Sequence, residues 1–249
     1  VQAAGGKTLA VSSQKQLNQA LKTVKGKNAV ITVKAGKNVK ITIPKGTYKV
    51  TIRVVGKKAA VVNNGTVKEI VVNSKGTVAI KNNGTIKKVT VQNAKSVSFS
   101  GNHKKAVPVV VNAEDVSMIL AAPAKITAKK DVNIVLKKGA EKSSITCTKN
   151  AQAQVDNQTK KAISVKIADG TTLKVESGES CTITPKGKKE DTSGEDKTDG
   201  KDQKTDDTSD GNASSGSSSS GNSSGGTTVE TPSKLTEADL LKQGYFFCE

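Results

Sequence analysis

Asn63-Asn64-Gly65-Thr66-Val67-Lys68-Glu69-Ile70-Val71-Val72-Asn73 returns as Asn82-Asn83-Gly84-Thr85-Ile86-Lys87-Lys88-Val89-Thr90-Val91-Gln92-Asn93, displaced by 19 residues (82 − 63). A period near twenty, built from β-branched runs separated by Asn and Gly, is the signature of a solenoid in which each repeat is one coil stacked on the last. The asparagines fall into two series, Asn63, Asn82, Asn102 and Asn73, Asn93, Asn112, so each coil turns twice with an Asn at each turn. Stacked amides can hydrogen-bond along a column, and Asn tolerates the left-handed backbone of a sharp corner. The pattern predicts an all-β chain folded as a parallel β-solenoid.

Composition agrees with that reading. The 249 residues contain five aromatics, whereas Val, Ile, Thr and Lys dominate. A narrow column that each coil refills with Val, Ile, Leu and Ala needs no large aromatic core. Charge is divided along the chain: residues 1–189 carry 35 Lys+Arg against 9 Asp+Glu (+26), and residues 190–249 carry 5 against 13 (−8). The basic part favours polyanions, and composition alone does not choose among nucleic acid, cell-wall polymer and acidic glycan.

Upstream of the repeat, Ser13-Gln14-Lys15-Gln16 is a capping box, and Leu17, Ala20, Leu21 and Val24 follow at helical spacing up to Gly26. A helix over residues 12–25 is expected to cover the first open sheet edge. From Val30 the period becomes two: Ile31/Val33, Val39/Ile41/Ile43 and Tyr48/Val50/Ile52/Val54 face the core, with a corner at Pro44 and Gly46. Further coils are read at 61–62, 67–72, 78–80, 86–91, 97–99, 107–111, 116–120 and 132–136, with the period weakening past Pro108.

Downstream, Ile163/Val165/Ile167, the turn Asp169-Gly170 and Leu173/Val175 predict an antiparallel hairpin over 162–185 that caps the other end of a 1–185 solenoid domain. Residues 186–234 are Lys, Asp, Ser, Gly and Thr without periodic apolar positions, which reads as a disordered linker. Residues 235–249 carry a helix-start pattern and then Tyr245-Phe246-Phe247-Cys248, either the opening of another domain or a short apolar docking segment. Val1-Gln2-Ala3 fits the small-residue end of a signal peptide and equally an arbitrary starting point. Apolar runs are too short to span a bilayer, so no membrane insertion is expected. Cys147 and Cys181 alternate with Ile145 and Ile183 and read as small buried side chains, with a disulfide as the alternative.

The capping helix, the Asn-Gly-Thr-Val/Ile corners and the Ser/Gly/Asp linker resemble the β-helix modules of surface and secreted proteins from Gram-positive, often gut, bacteria; the likeness covers residues 7–185. The resemblance implies an extracellular or cell-surface location and a stalk or adhesin-like role. Larger β-helices include pectate lyases and polygalacturonases, which resemble one another in clustering carboxylates for calcium and using a basic residue, commonly Arg, as proton acceptor. Here the one Arg, Arg53, adjoins no Asp or Glu in sequence. Glycoside hydrolysis needs two carboxyl groups about 5–10 Å apart across a cleft. Glu114 and Asp115 are adjacent in sequence and belong in a loop, and the lone His103 reads as a surface turn residue rather than a metal ligand. No catalytic residue, cofactor or metal site is therefore expected.

Lysine pairs recur at 57–58, 87–88, 104–105, 129–130, 137–138 and 160–161. They form either a solvated, aggregation-resistant surface or a contact surface for an anionic polysaccharide or cell-wall polymer. Lys68 and Lys87 should stack at roughly 5 Å, which costs on the order of 1 kcal/mol in water unless counter-charge lies alongside. Arg53, Lys68, Lys87, Lys88, Lys104, Lys105, Lys129 and Lys130 are the candidate polyanion contacts. Nucleic acid is disfavoured because Tyr48 and Phe99 are the solenoid's only aromatics, too few to stack bases. The expected function is a non-catalytic glycan-contacting module; a carbohydrate-active enzyme and a purely structural spacer are the alternatives.

Overall fold

Alternation of β-branched residues with Thr, Ser and Lys gives strands with one face to bury, and a chain that turns after every strand can bury both inner faces against each other. The computed structural model describes residues 7–35 and 39–184. In order these form β1 (Lys7–Val11), α1 (Gln14–Thr23), β2 (Ala29–Ala35), β3 (Val39–Ile43), β4 (Thr47–Gly56), β5 (Lys58–Asn63), β6 (Thr66–Asn73) and β7 (Thr77–Asn82). Next come β8 (Thr85–Ile86), β9 (Val89–Asn93), β10 (Ser96–Ser100), β11 (Val107–Val111), β12 (Val116–Ala121), β13 (Ala124–Ala128) and β14 (Val132–Leu136). The last are β15 (Ser144–Cys147), β16 (Ala153–Asn157), β17 (Ile163–Lys166), β18 (Thr172–Val175) and β19 (Ser180–Ile183).

Apart from the consecutive pairs β1/β2, β8/β9 and β17/β18, which share the first sheet, strands go alternately to two sheets. The first runs β1-β2-β4-β6-β9-β11-β13-β15-β17-β18, with β8 also on β6; the second runs β3-β5-β7-β10-β12-β14-β16-β19. All pairings are parallel until the C-terminal cap, giving a parallel β-solenoid of about eight turns. Like stacks on like: Ile31, Ile52, Ile70, Val89, Val109, Ile126, Ile145 and Val165 form one inner row. Facing them, Ile41, Val61, Ile80, Phe99, Leu120 and Leu136 form a row of the second sheet. Both rows are buried, Phe99 at 1% exposure being the one aromatic inside.

The coil length is less regular than the 19–20 residues expected. Partners lie 19 apart at Lys58 and Thr77 (77 − 58), 16 apart at Val116 and Val132 (132 − 116), and 21 apart at Val132 and Ala153 (153 − 132). Register is held by the buried face, since a slip of one residue would turn that face outward, whereas corners lie outside the ladders and absorb length changes. This is why the period fades past Pro108 and why β13, β15 and β16 escape a fixed-period reading.

Both ends are closed. Ser13 Oγ accepts the Gln16 amide at 3.3 Å, while Gln16 Oε1 accepts the Ser12 amide at 2.7 Å, so the reciprocal bond reaches one residue further back than a standard capping box. Leu17, Ala20, Leu21 and Val24 are buried, and Gly26 adopts φ 75° just beyond the helix. Gln14 completes the cap chemically: its Oε1 accepts from Thr42 N at 2.6 Å and its Nε2 donates to Thr42 O at 2.8 Å. A side-chain amide thus stands in for a neighbouring strand on the edge of β3. At the other end β17 and β18 make the antiparallel hairpin, with Gly170 at φ 93°, and β19 returns antiparallel to β16. Each sheet therefore ends on an antiparallel strand, of which only the first is evident from the sequence.

The corner asparagines divide differently from the expected columns. Asn63 and Asn82 are fully buried, and Asn64 and Asn83 form a parallel exposed pair with Asn83 Nδ2 donating to Asn64 Oδ1 at 3.0 Å. Among the described residues no side-chain amide bond joins Asn73, Asn93, Asn102 or Asn112, which point outward or to the surface of longer corners. The Asn corners also do not use positive φ; Asp115, at φ 54°, is the one non-glycine described residue that does. Tight stacking is instead what their glycines permit, because a Cβ on Gly84 would overlap the carbonyl of Gly65 in the coil below. A third buried corner amide, Asn157, bonds Lys161 O, Val175 O and the Thr159 amide. Cys147 and Cys181 are both core thiols, and burial pushes Cys147 up to about 11. Residues 186–234 and 235–249 lie outside the described residues.

Candidate functional site

Because each coil repeats the one before it, a lysine in the repeat becomes a column on the surface. The register Tyr48–Val67–Ile86 puts Lys49, Lys68 and Lys87 one position further on in three successive coils, where strands of the first sheet begin. The Lys87 amide donates to Val67 O at 3.2 Å. Where those strands end, Lys57, Lys75 and Lys95 occupy successive corners, but the register stacks Lys57 on Gly76 and Gly76 on Lys95, with Thr77 N to Lys57 O at 3.0 Å and Lys95 N to Gly76 O at 2.9 Å, so Lys75 stands one position off that line. All six side chains are exposed. Lys68 and Lys87 are evident in the sequence as a stack; the same 19-residue step reaches Lys49 from Lys68, but from Lys57 it reaches Gly76 before Lys95.

The outer face of β4, β6 and β9 lies between that column and the corner lysines. Arg53 of β4 donates through Nη2 to Gln92 Oε1 of β9 at 3.3 Å, passing over β6. Beneath that bridge Val71 points outward yet is only 7% exposed. Beside it Glu69 takes a hydrogen bond from Thr90 Oγ1 and lies 3.7 Å from Lys88 Nζ. Arg53, the chain's single guanidinium, has no carboxylate within ion-pair distance among the described residues.

The remaining candidates fall elsewhere. Lys104 and Lys105 sit on the corner leading into β11, one coil beyond Lys87 on the same edge. There His103 is built into the fold: its ring packs edge-on to Phe99 at 5.2 Å, and its nitrogens lie 3.2 Å from Asn82 O and 2.9 Å from Pro123 O. Lys129 and Lys130 are on the opposite edge, after β13. Lys130 is paired with Glu114 at 2.7 Å, and that carboxylate raises its pKa. Arg53, Lys68, Lys87 and Lys88 thus share one face, and the other four extend along two edges.

The same edge as Lys130 holds an acidic corner. Glu114 and Asp115 follow β11 in an irregular corner, as expected for neighbours that cannot share a strand face. The Asp115 amide donates to Asp131 O at 3.0 Å, stacking the two aspartates in adjacent coils. They line a shallow cavity of about 270 Å³ with Asn133, Gln152, Gln154 and Thr182. Glu114 is held by Lys130 and Asp131 Oδ1 accepts the Gln152 amide at 2.9 Å.

No group of His, Cys, Asp and Glu among the described residues is arranged to hold a metal ion, and no helix among them is long and apolar enough to cross a membrane. Compared with family models, curated proteins and solved structures, the chain matches none. What stands on the geometry alone is a β-helix module with a strongly basic, columnar surface.

Proposed function

We propose that the chain is a non-catalytic module, displayed outside the cell or on its surface as a stalk or adhesin-like unit, that contacts anionic glycans or cell-wall polymers. One observation carries this reading: Lys49, Lys68 and Lys87 stand at coil spacing in an exposed column with further exposed lysines on the corners beyond it, and the two ion pairs among the described residues engage Lys88 and Lys130 rather than the column. Like charges about 4.8 Å apart repel by about 1 kcal/mol in water, and an extended polyanion laid along the column relieves that repulsion at every coil. Salt titration of binding tests it. Affinity for an anionic polysaccharide should fall steeply between low and physiological ionic strength, and Lys68, Lys87 and Lys88 replaced together by Gln should weaken it without lowering Tm. Binding unchanged by salt and by this triple substitution would remove the electrostatic reading.

The acidic corner supports a second reading, a carbohydrate-active enzyme of the β-helix class. It is weaker because general acid–base work needs two available carboxyl groups, and of the three here Glu114 and Asp131 are already engaged. Release of reducing or unsaturated ends from a uronate polymer, abolished in Asp115→Asn, would establish it.

A further inference from the structure

Thirty-nine of the chain's 40 basic side chains are lysines, and the exception is held in a defined place. Arg53 stands on the outward face between the Lys49/Lys68/Lys87 column and the corner lysines Lys57, Lys75 and Lys95. Gln92 engages one of its nitrogens across β6, which gives the side chain a defined direction over the sheet. A single neutral amide acceptor at 3.3 Å leaves most of its five N–H donors without a protein partner. A lysine would satisfy the same column electrostatics. A planar fork adds the capacity to grip a two-oxygen anion at two points.

Resting on the reading above, we propose that Arg53, positioned by Gln92, is the specificity-determining residue for a linear acidic glycan whose charged group is a carboxylate, running along the solenoid axis over β4, β6 and β9. Three features point to a uronate chain. The coil rise of about 4.8 Å is close to the length of one sugar ring, so successive rings can keep step with successive coils. Around Arg53 the face presents hydroxyl and amide groups, Thr51, Asn73 and Asn93, which suit sugar hydroxyls. No aromatic is exposed there to stack bases: Phe99 is buried and Tyr48 partly so.

The test is binding of the full chain to polygalacturonate, dextran sulfate and poly-L-glutamate at matched ionic strength, for wild type, Arg53→Lys, Gln92→Ala and the Lys68/Lys87/Lys88 triple Gln variant. Losing one bidentate contact while keeping the charge should weaken polygalacturonate about tenfold in Arg53→Lys and leave dextran sulfate within about twofold. Gln92→Ala should lose part of the same preference, and the triple variant should weaken all polyanions together. Equal effects of Arg53→Lys on carboxylated and sulfated polymers, or poly-L-glutamate bound as tightly as polygalacturonate, would overturn the inference while the basic-surface reading stands. Absence of binding to every polymer at low salt would overturn both.

Discussion

Asn63 donates through Nδ2 to Asn82 Oδ1 at 2.8 Å, a buried amide–amide bond between successive coils in which the two partners are not equivalent. Asn63 also donates to Gly65 O at 2.9 Å and accepts the Gly65 amide at 3.3 Å, whereas Asn82 Nδ2 has no partner. The column stops because Gly101, not a third Asn, follows one coil on. Asn63→Ala would strand the Gly65 amide and the Asn82 oxygen, the Gly65 carbonyl keeping the Thr85 amide at 2.9 Å, while Asn82→Ala also removes an unsatisfied donor. Unfilled buried polar groups cost about 1–3 kcal/mol each, so Asn63→Ala should be the more destabilising by about 1–2 kcal/mol. Chemical denaturation of the two variants measures the difference, and equal loss would mean that the orphan donor carries no penalty.

Val72 and Val91 are Cα partners on the inner face of β6 and β9, each with no exposed surface. Aspartate at either position would place an unpaired carboxylate in a column only two side chains wide. The expected cost, of order 5 kcal/mol, is comparable with the total stability of an ordinary domain. Val72→Asp and Val91→Asp should therefore lose cooperative thermal unfolding, and a wild-type melt in either would show the faces to be reversed.

Gly84 tests the corner rather than the core. Its φ is unremarkable for any residue, so Gly84→Ala would introduce no strain of its own, only the overlap with Gly65 O of the next coil. Forcing stacked backbones apart should destabilise by about 1–3 kcal/mol. A neutral Gly84→Ala in a thermal melt would show that the corner can open at little cost.

The inner rows were legible because burial imposes a period of two along each strand, as at Val50/Ile52/Val54, and the nineteen-residue repeat announced the coil. The helix was legible from Ser13 and Gln16. The corners were not, because a corner needs only to return the chain to register and many sequences do so: an Asn pair at 63–64, a His tie at 103, an acidic corner at 114–115. The lysine columns were half legible for the same reason. Lys68 and Lys87 stand 19 apart within the quoted repeat, but that Lys57 and Lys95 share a line through Gly76 while Lys75 stands beside it follows only from the strand register. Nothing in the sequence linked Arg53 to Gln92, 39 positions away and two strands over.

Cys147 provides a prediction in alkaline solution. Its thiol, packed in the core of β15, has a pKa pushed up to about 11 from 9.0 by burial. The sign follows from proton binding: between about pH 9 and pH 11 the unfolded chain releases the thiol proton while the folded chain keeps it. The unfolded state then binds fewer protons, so stability falls as pH rises through this window and is unaffected by Cys147 below it. Two pH units correspond to about 2–3 kcal/mol at the upper end. Lysines also titrate there, so the measurement is a difference: wild type should lose about 1.5–2 kcal/mol more stability between pH 8.5 and 10.5, the part of that window sampled, than Cys147→Val, which fills the same small apolar space without an ionisable group. Parallel stability curves for the two proteins would show that the thiolate is solvated in the folded state and that the core at β15 admits water.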